Sequence, residues 1–332
     1  MKVALLGPVA WRTPPRAYGP WEQVVALLAD GLTARGVDVT LFATLDSGTA
    51  ATVDGVCPRP YNEDSTLDGR IWEALHIAYC FERSGDFDLV HSHLDWLPLA
   101  MSGFCRARML TTIHGFSDKK ILPAYRHGRS EYVAISDADR APELSYAATV
   151  YHGVDIGQFP FVDQPGDELV AFGRIHPDKG TAEAIEIARR ADRPLIICGP
   201  VHDERYHAER VEPHIDGVAV RYLGNVGPVE RARILGGATA LLHPIGFAEP
   251  FGLSVVESMI CGTPVVAYPK GALPEIVDEG VTGLLVGGVG AAVEAVTSVA
   301  RFDRRKVRET AVGRFSADRM VDDYLRVFAS LF

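Results

Sequence analysis

Two glutamates eight positions apart, in Ala248-Glu249-Pro250-Phe251-Gly252-Leu253-Ser254-Val255-Val256-Glu257, form the densest chemical signal in the chain. Pro250 and Gly252 interrupt whatever precedes them, and Ser254 to Met259 reads as a helix. Glu249 then sits in the loop entering that helix, where backbone N–H groups are unpaired and the dipole is positive. Such an entrance suits an anion, phosphate above all. Glu257 falls about one and a half turns along, on a face that can reach the same site. An ordinary surface helix with one capping and one interior acid would carry the same residues, so the rest of the chain decides. In Phe172-Gly173-Arg174-Ile175-His176-Pro177-Asp178-Lys179-Gly180, a strand ends in a turn bearing two cations five positions apart. Ligands of open α/β sheets bind beyond the carboxyl ends of strands, so Arg174 and Lys179 suit a diphosphate held without a metal. A turn-capping Lys beside a solvated Arg is the alternative.

His114 follows the apolar run Leu110–Ile113 and precedes Gly115, which places it at a strand's carboxyl end; a structural histidine fits the same pattern. His91 and His93 point the same way if their strand continues, which is compatible with a metal, yet no third ligand stands at a recognisable spacing. Asp86-Phe87-Asp88 precedes its strand and reads as a solvated turn. Gly19, in Tyr18-Gly19-Pro20-Trp21-Glu22, lies in a strand-to-helix loop that lacks the G-x-G-x-x-G dinucleotide spacing. No Walker loop, G-x-S-x-G elbow or H-E-x-x-H motif is present. Trp11, Tyr18, Trp21, Trp96 and Tyr125 fall in stretches read as loops at the rim of the site, where rings stack on sugar or polyketide-like acceptors. Hydrophobic staples would look similar.

The elements that must position these residues alternate between strand and helix. Val3–Leu6, Val37–Ala43, Asp88–His91, Met109–Ile113, Glu131–Ile135 and Thr149–Tyr151 read as buried strands, with helices over Trp21–Arg35 and Ile71–Arg83. Asp46–Asp68 looks disordered, and Phe159–Asp167, rich in Pro and acids, looks like a linker. The pattern then restarts. Leu169–Phe172, Leu195–Cys198, Val218–Tyr222, Ala240–His243 and Pro264–Ala267 read as strands, with a helix at Thr181–Ala191 and an amphipathic one at Ala317–Phe332. Two successive strand–helix sets imply two doubly wound domains.

Bulk properties agree with a globular protein of that size. The chain has 332 residues, 47% hydrophobic and 23% charged, enough for two cores. A net charge of −10 argues against nucleic acid as the main partner. Five scattered Cys without C-x-x-C spacing read as reduced thiols, hence a cytoplasmic location. Met1–Pro8 is too short an apolar run for a signal sequence, and no stretch is long enough to span a membrane.

Taken together the motifs resemble the retaining GT-B glycosyltransferases of family 4, the glycosyl transferases group 1. The resemblance covers nearly the whole chain. It rests on Val90-His91, His114-Gly115, Ile135-Ser136, Gly153-Val154-Asp155, the Arg174–Lys179 turn, the Glu249/Glu257 pair, Gly262-Thr263-Pro264-Val265-Val266, Glu275-Ile276-Val277, Gly280 and Thr282-Gly283, in family order. It implies two Rossmann-like domains facing a cleft, an acceptor domain over 1–160 and a nucleotide-sugar domain over 161–315. The helix 316–332 would return to the first domain. It further implies metal-independent transfer from a nucleotide diphosphate sugar, UDP-linked for instance, to a hydroxyl of a small-molecule or saccharide acceptor, with retention and no cofactor. Arg174 and Lys179 would neutralise the diphosphate, with amides near Phe251, Gly252 and Leu253. Glu257 would hold the ribose, backbone near Val226 the base, and Glu249 the sugar, which it orients without acting as nucleophile. His114 would lie near the sugar and Gly19 near the phosphates. One departure is Tyr18-Gly19-Pro20, where the family carries two adjacent glycines; another is a short first domain. Lys119–Arg129, interrupted by Pro123 and Gly128, reads as an acceptor loop in place of a basic membrane helix. Arg-rich composition and small size fit antibiotic or other natural-product tailoring in an actinomycete, with envelope glycolipid or polysaccharide as the other acceptor class. A sugar-nucleotide epimerase and a non-catalytic sugar-nucleotide-binding protein share the architecture. A phosphorylase would need a Schiff-base lysine, for which the few Lys offer no clear place.

Overall fold

The computed structural model describes residues 1–115 and 119–332, in two compact units: Met1–Gly153 with Ala317–Phe332, and Val154–Ser316. The first unit runs β1 (Lys2–Leu6), α1 (Pro20–Ala34), β2 (Asp38–Phe42), β3 (Thr52–Asp54), α2 (Gly69–Glu82), β4 (Leu89–Ser92), α3 (Leu97–Ala100), β5 (Arg108–Ile113), α4 (Leu122–His127), β6 (Glu131–Ala134) and β7 (Ala148–Thr149). These strands form one sheet in the order β3-β2-β1-β4-β5-β6-β7, with β1 parallel to both β2 and β4. Strands buried on both faces need continuous apolar runs, and Val3 to Leu6 are all fully buried.

The second unit runs β8 (Leu169–Phe172), α5 (Thr181–Arg190), β9 (Leu195–Cys198), α6 (Glu204–Tyr206), β10 (Val220–Tyr222), α7 (Pro228–Gly237), β11 (Ala240–His243), α8 (Leu253–Ile260), β12 (Val265–Ala267), α9 (Leu273–Ile276), β13 (Gly283–Leu285), α10 (Val289–Val299) and α11 (Arg304–Phe315). Its sheet, β10-β9-β8-β11-β12-β13, is parallel between every neighbouring pair. Strand order reverses between β1 and β4 in the first sheet and between β8 and β11 in the second. In doubly wound sheets such switch points are where ligands bind, because the loops on either side diverge there.

The last helix, α12 (Ala317–Ser330), belongs to the first unit. It buries Met320, Val321, Tyr324, Val327 and Phe328, one face at helical spacing. Tyr324 Oη shares a 2.9 Å hydrogen bond with Thr112 Oγ1 of β5, a buried polar tie inside an apolar contact.

Three expectations need correction. Phe159–Asp167 is no free linker: Phe159 is buried, Val162 N–H donates to the Cys261 carbonyl, Gly166 N–H donates to Gly237, and Arg304 Nε donates to the Val162 carbonyl. Pro and acidic residues give the segment a linker's composition, but its carbonyls are held by arginines of α11. The chain leaves the first unit at Gly153 and not at 160. Asp46–Asp68 is ordered as well. It supplies β3 and local ties such as Asp64 accepting from Thr66 N and Oγ1, the short-range side-chain bonds that let polar segments hold one conformation.

Candidate active site

In the second unit the site grows from the ends of β8 and β11, the strands flanking the switch point. The turn after β8 is a single 3-10 turn, Pro177–Lys179, and Gly180 closes it in the left-handed region at φ 66°. A side chain on Gly180 would strike the Pro244 carbonyl beyond β11, and Gly246 N–H donates to the Asp178 carbonyl at 2.6 Å. The two loops are thus fastened together backbone to backbone.

That fastening brings Lys179 to Glu249. Nζ donates to Oε2 at 2.6 Å and lies 4.6 Å from the centre of the Phe247 ring. His243, the last residue of β11, places Nε2 3.5 Å from the same oxygen, within ion-pair distance though not a hydrogen bond. Burial alone would raise the Glu249 carboxyl, but His243 and the Lys179 charge overcome it and bring its pKa from 4.5 down to about 2. Burial pushes His243 the other way, below its ordinary value, against the opposing pull of Glu249. Arg174 turns to His202, with Nη1 3.3 Å from Nδ1.

Phe251 is buried, edge-on to Phe315 with ring centres 6.0 Å apart, and fixes the approach to α8. Gly252 is the N-cap at φ 95°, and Leu253 is the first helical residue. The amides of this first turn have no intrahelical acceptor. Glu257 lies in α8, where burial raises its pKa against the opposing pull of Arg231. Arg231 Nη1 contacts its two oxygens at 3.0 and 3.4 Å. Val226 is half-buried in the loop between β10 and α7.

The first unit holds His114 and Gly19. His114 follows β5 and is joined on both sides: Nε2 shares a 3.0 Å hydrogen bond with His93 Nδ1, and Nδ1 a 3.3 Å bond with His152 Nε2. Trp21 stacks on the ring at 5.1 Å, tilted by 22°. Desolvation lowers the pKa of His114 to about 3, so the imidazole is neutral, with one donor and one acceptor nitrogen, both engaged. His91 pairs instead with Thr112 Oγ1 at 2.8 Å. Among the described residues no group of three or more His, Cys, Asp or Glu is arranged to hold a metal ion. Gly19 caps α1, and a side chain there would come within 2.7 Å of Pro15 and 3.1 Å of Glu22 Oε2. Burial lifts the pKa of Glu22 to about 7, against the opposing Trp11 N–H, which donates to Oε1 at 3.1 Å.

Sequence reasoning missed His93 and His152 as partners of His114, Arg231 as partner of Glu257 and His243 as neighbour of Glu249. Each lies on a different loop or helix from its partner, so only the strand order could have paired them. The expected aromatic rim is partly wrong. Trp21 lies in α1, and Tyr125 is buried in α4 with its hydroxyl donating to Asp95 at 2.8 Å. Trp96 is exposed, and Trp11 meets Tyr18 edge-on at 6.3 Å. Within Lys119–Arg129, Leu122 and Tyr125 turn into the core, so its apolar side is already used.

A family model described as Glycosyl transferases group 1 matches residues 160–330, more than half of the 332, and one described as Glycosyltransferase Family 4 matches residues 21–141. The chain belongs to the glycosyl transferases group 1 family. This glycosyltransferase is similar to the glycogen synthase of Mycobacterium tuberculosis, 26% identical over 90% of this chain and 87% of that protein. It is also similar to the D-inositol 3-phosphate glycosyltransferase of Actinosynnema mirum, 28% identical over 93% of this chain and 92% of that protein. Among solved structures it resembles AviGT4, a glycosyltransferase involved in avilamycin A biosynthesis, with 24% identity, a TM-score of 0.76 and coverage of 100% of this chain and 98% of that one. It also resembles Anabaena HepE solved with UDP-glucose, with 19% identity, a TM-score of 0.74 and coverage of 99% and 100%. The fold is GT-B, with a Rossmann-like sheet in each unit.

Proposed function

We propose that this glycosyltransferase moves a sugar from a nucleotide diphosphate sugar to an acceptor hydroxyl, with retention at the anomeric carbon and without a metal ion. The observation that carries the reading is the Lys179–Glu249 contact across the β8/β11 switch point, at 2.6 Å, with Arg174 in the loop between β8 and the turn that bears Lys179. A diphosphate bound there meets two fixed cations and the amides of Phe251, Gly252 and Leu253 at the entrance to α8. Each charge-assisted hydrogen bond is worth about 1.5–3 kcal/mol, and those that strengthen as the phosphate departs lower the barrier directly.

Glu249 in this reading orients the sugar. Its Oε2 is taken by Lys179, and Oε1 accepts from sugar hydroxyls, while the low pKa keeps it an acceptor across the working range. Glu257 receives the ribose hydroxyls and the backbone around Val226 the base. The departing phosphate takes the acceptor's proton. In the first unit, Gly19 allows close approach of the backbone to a phosphate. His114 is the candidate group on the acceptor-binding side, acting as a neutral imidazole held in place by His93 and His152. The acceptor class we favour is a natural product of the antibiotic kind, supported by likeness to AviGT4. The names of the curated relatives, glycogen synthase and inositol phosphate glycosyltransferase, keep saccharide and polyol acceptors as the other class.

Product NMR tests the stereochemistry. The product linkage should keep the donor's anomeric configuration, and an inverted linkage would refute the reading. Mass spectrometry of the enzyme in turnover should show no glycosyl adduct on Glu249; an adduct there would make it a nucleophile.

A further inference from the structure

Arg231 stands in α7, outside every motif that carries the family pattern. Its Nη1 donates to both oxygens of Glu257, at 3.0 and 3.4 Å. Its guanidinium lies 4.8 Å from the centre of the Phe172 ring, at the carboxyl end of β8. Its Nε is buried with no hydrogen-bond partner among the described residues, a donor with spare capacity in a desolvated place. Arg231 therefore links the end of β8 to the side chain of α8 on which the nucleoside reading depends.

We propose that Arg231 is a positioning residue for the nucleoside half of the donor: it holds Glu257 as an oriented carboxylate whose remaining lone pairs accept the two ribose hydroxyls. The inference rests on the assignment of Glu257 to the ribose. Two hydroxyl donors need two acceptor oxygens, and a protonated carboxyl has one of them converted to a donor. Burial pushes Glu257 toward that protonated form, and Arg231 opposes it. The other groups near Glu257 do not replace that charge. Cys261 at the end of α8 is a neutral thiol, its pKa pushed up to about 12 by burial. From α11, Arg308 donates to the carbonyls of Phe159 and Ile260. Arg304 donates to those of Val162, Ala238 and Gly236 and to Thr263. Among the described residues Arg231 is the one cation within ion-pair distance of Glu257.

The test is calorimetric titration of the full chain with UDP, GDP, dTDP and ADP at a series of pH values, because protonating Glu257 turns one of its acceptor oxygens into a donor. Wild type should bind one of these and lose less affinity on acidification than a variant without the Arg231 charge, since Arg231 opposes the burial that raises the Glu257 carboxyl. Arg231→Gln should bind about tenfold more weakly at neutral pH, with the loss deepening at lower pH and shrinking at higher, because Glu257 then protonates more readily. Arg231→Lys should restore the wild-type pH profile, as charge and not shape sets the ionisation. Glu257→Gln should be weak at every pH, and adding Arg231→Gln to it should cost almost nothing more. That double variant contains no unpaired buried charge, so it serves if Arg231→Gln alone does not fold. Unchanged affinity in Arg231→Gln, a loss with no pH component, or an additive double variant would overturn the proposal while leaving the nucleotide site intact. No binding of any of the four by wild type would instead refute the donor assignment and this inference with it.

Discussion

Glu22 and Glu249 are both buried carboxyls, and their surroundings drive them in opposite directions. Glu249 has Lys179 and His243 against it and falls to about 2. Its folded pKa is depressed, so its contribution to stability is complete above its ordinary 4.5 and is lost as pH falls toward about 2. Glu22 has only neutral donors, and burial lifts it to about 7. The folded state then holds a proton that the unfolded chain has released, so stability declines as pH rises from about 4.5 to about 7. Glu22→Gln mimics the protonated acid and retains an oxygen for the Trp11 N–H. It should raise the melting temperature at about pH 8 by several degrees and change it little at about pH 4, where native and unfolded Glu22 are both protonated. A gain at both pH values would show that the carboxyl is not what limits stability there. Residue types were readable at this scale and their partners were not. His114 was singled out by its place after a strand, but His93 and His152 reach it from other loops. Nothing in local spacing announces such a chain.

At the scale of elements, glycine positions show which packing the sheet order enforces. Gly31 lies in the middle of α1, where alanine normally favours a helix by about 1 kcal/mol. Here a Cβ would press on the Val321 side chain of α12, so Gly31→Ala should destabilise the protein by about 1–3 kcal/mol in urea denaturation. Stabilisation would mean that α12 is free to shift. Gly180→Ala meets backbone and not a side chain, at positive φ, and should displace the Lys179 turn. Nucleotide affinity should fall at least tenfold in titration calorimetry, since Lys179 stands on that turn. Apolar strands such as Leu169–Phe172, Leu195–Cys198 and Ala240–His243 are legible because burial on both faces demands an unbroken apolar run. The edge strands β3 (Thr52–Asp54) and β13 (Gly283–Leu285) lack such a run, the first carrying Thr and Asp on either side of one Val and the second opening on Gly. The segment after Phe159 misled for a related reason: composition describes solvation, and here arginines of α11 take the place of water.

For the molecule as a whole, repetition was the most readable feature. Two strand–helix series with a break between them predict two doubly wound sheets, and the chain builds two, with the final helix joining the first unit. Net charge is −10, and no helix among the described residues is long and apolar enough to cross a membrane. The basic segment 119–129 has its apolar residues Leu122 and Tyr125 buried, so the protein should stay in the supernatant when anionic vesicles are sedimented. Pelleting with the lipid would assign that segment to a membrane surface. In the proposed function, the loop from Arg174 to Lys179 holds a nucleoside diphosphate without a metal ion. A thermal-shift titration with UDP, GDP, dTDP and ADP, with and without EDTA, tests it most directly. One nucleotide should raise the melting temperature in EDTA as well as without it, and the rise should disappear in folded Arg174→Ala and Lys179→Ala variants. No rise with any of them, or a rise that EDTA abolishes, would contradict it.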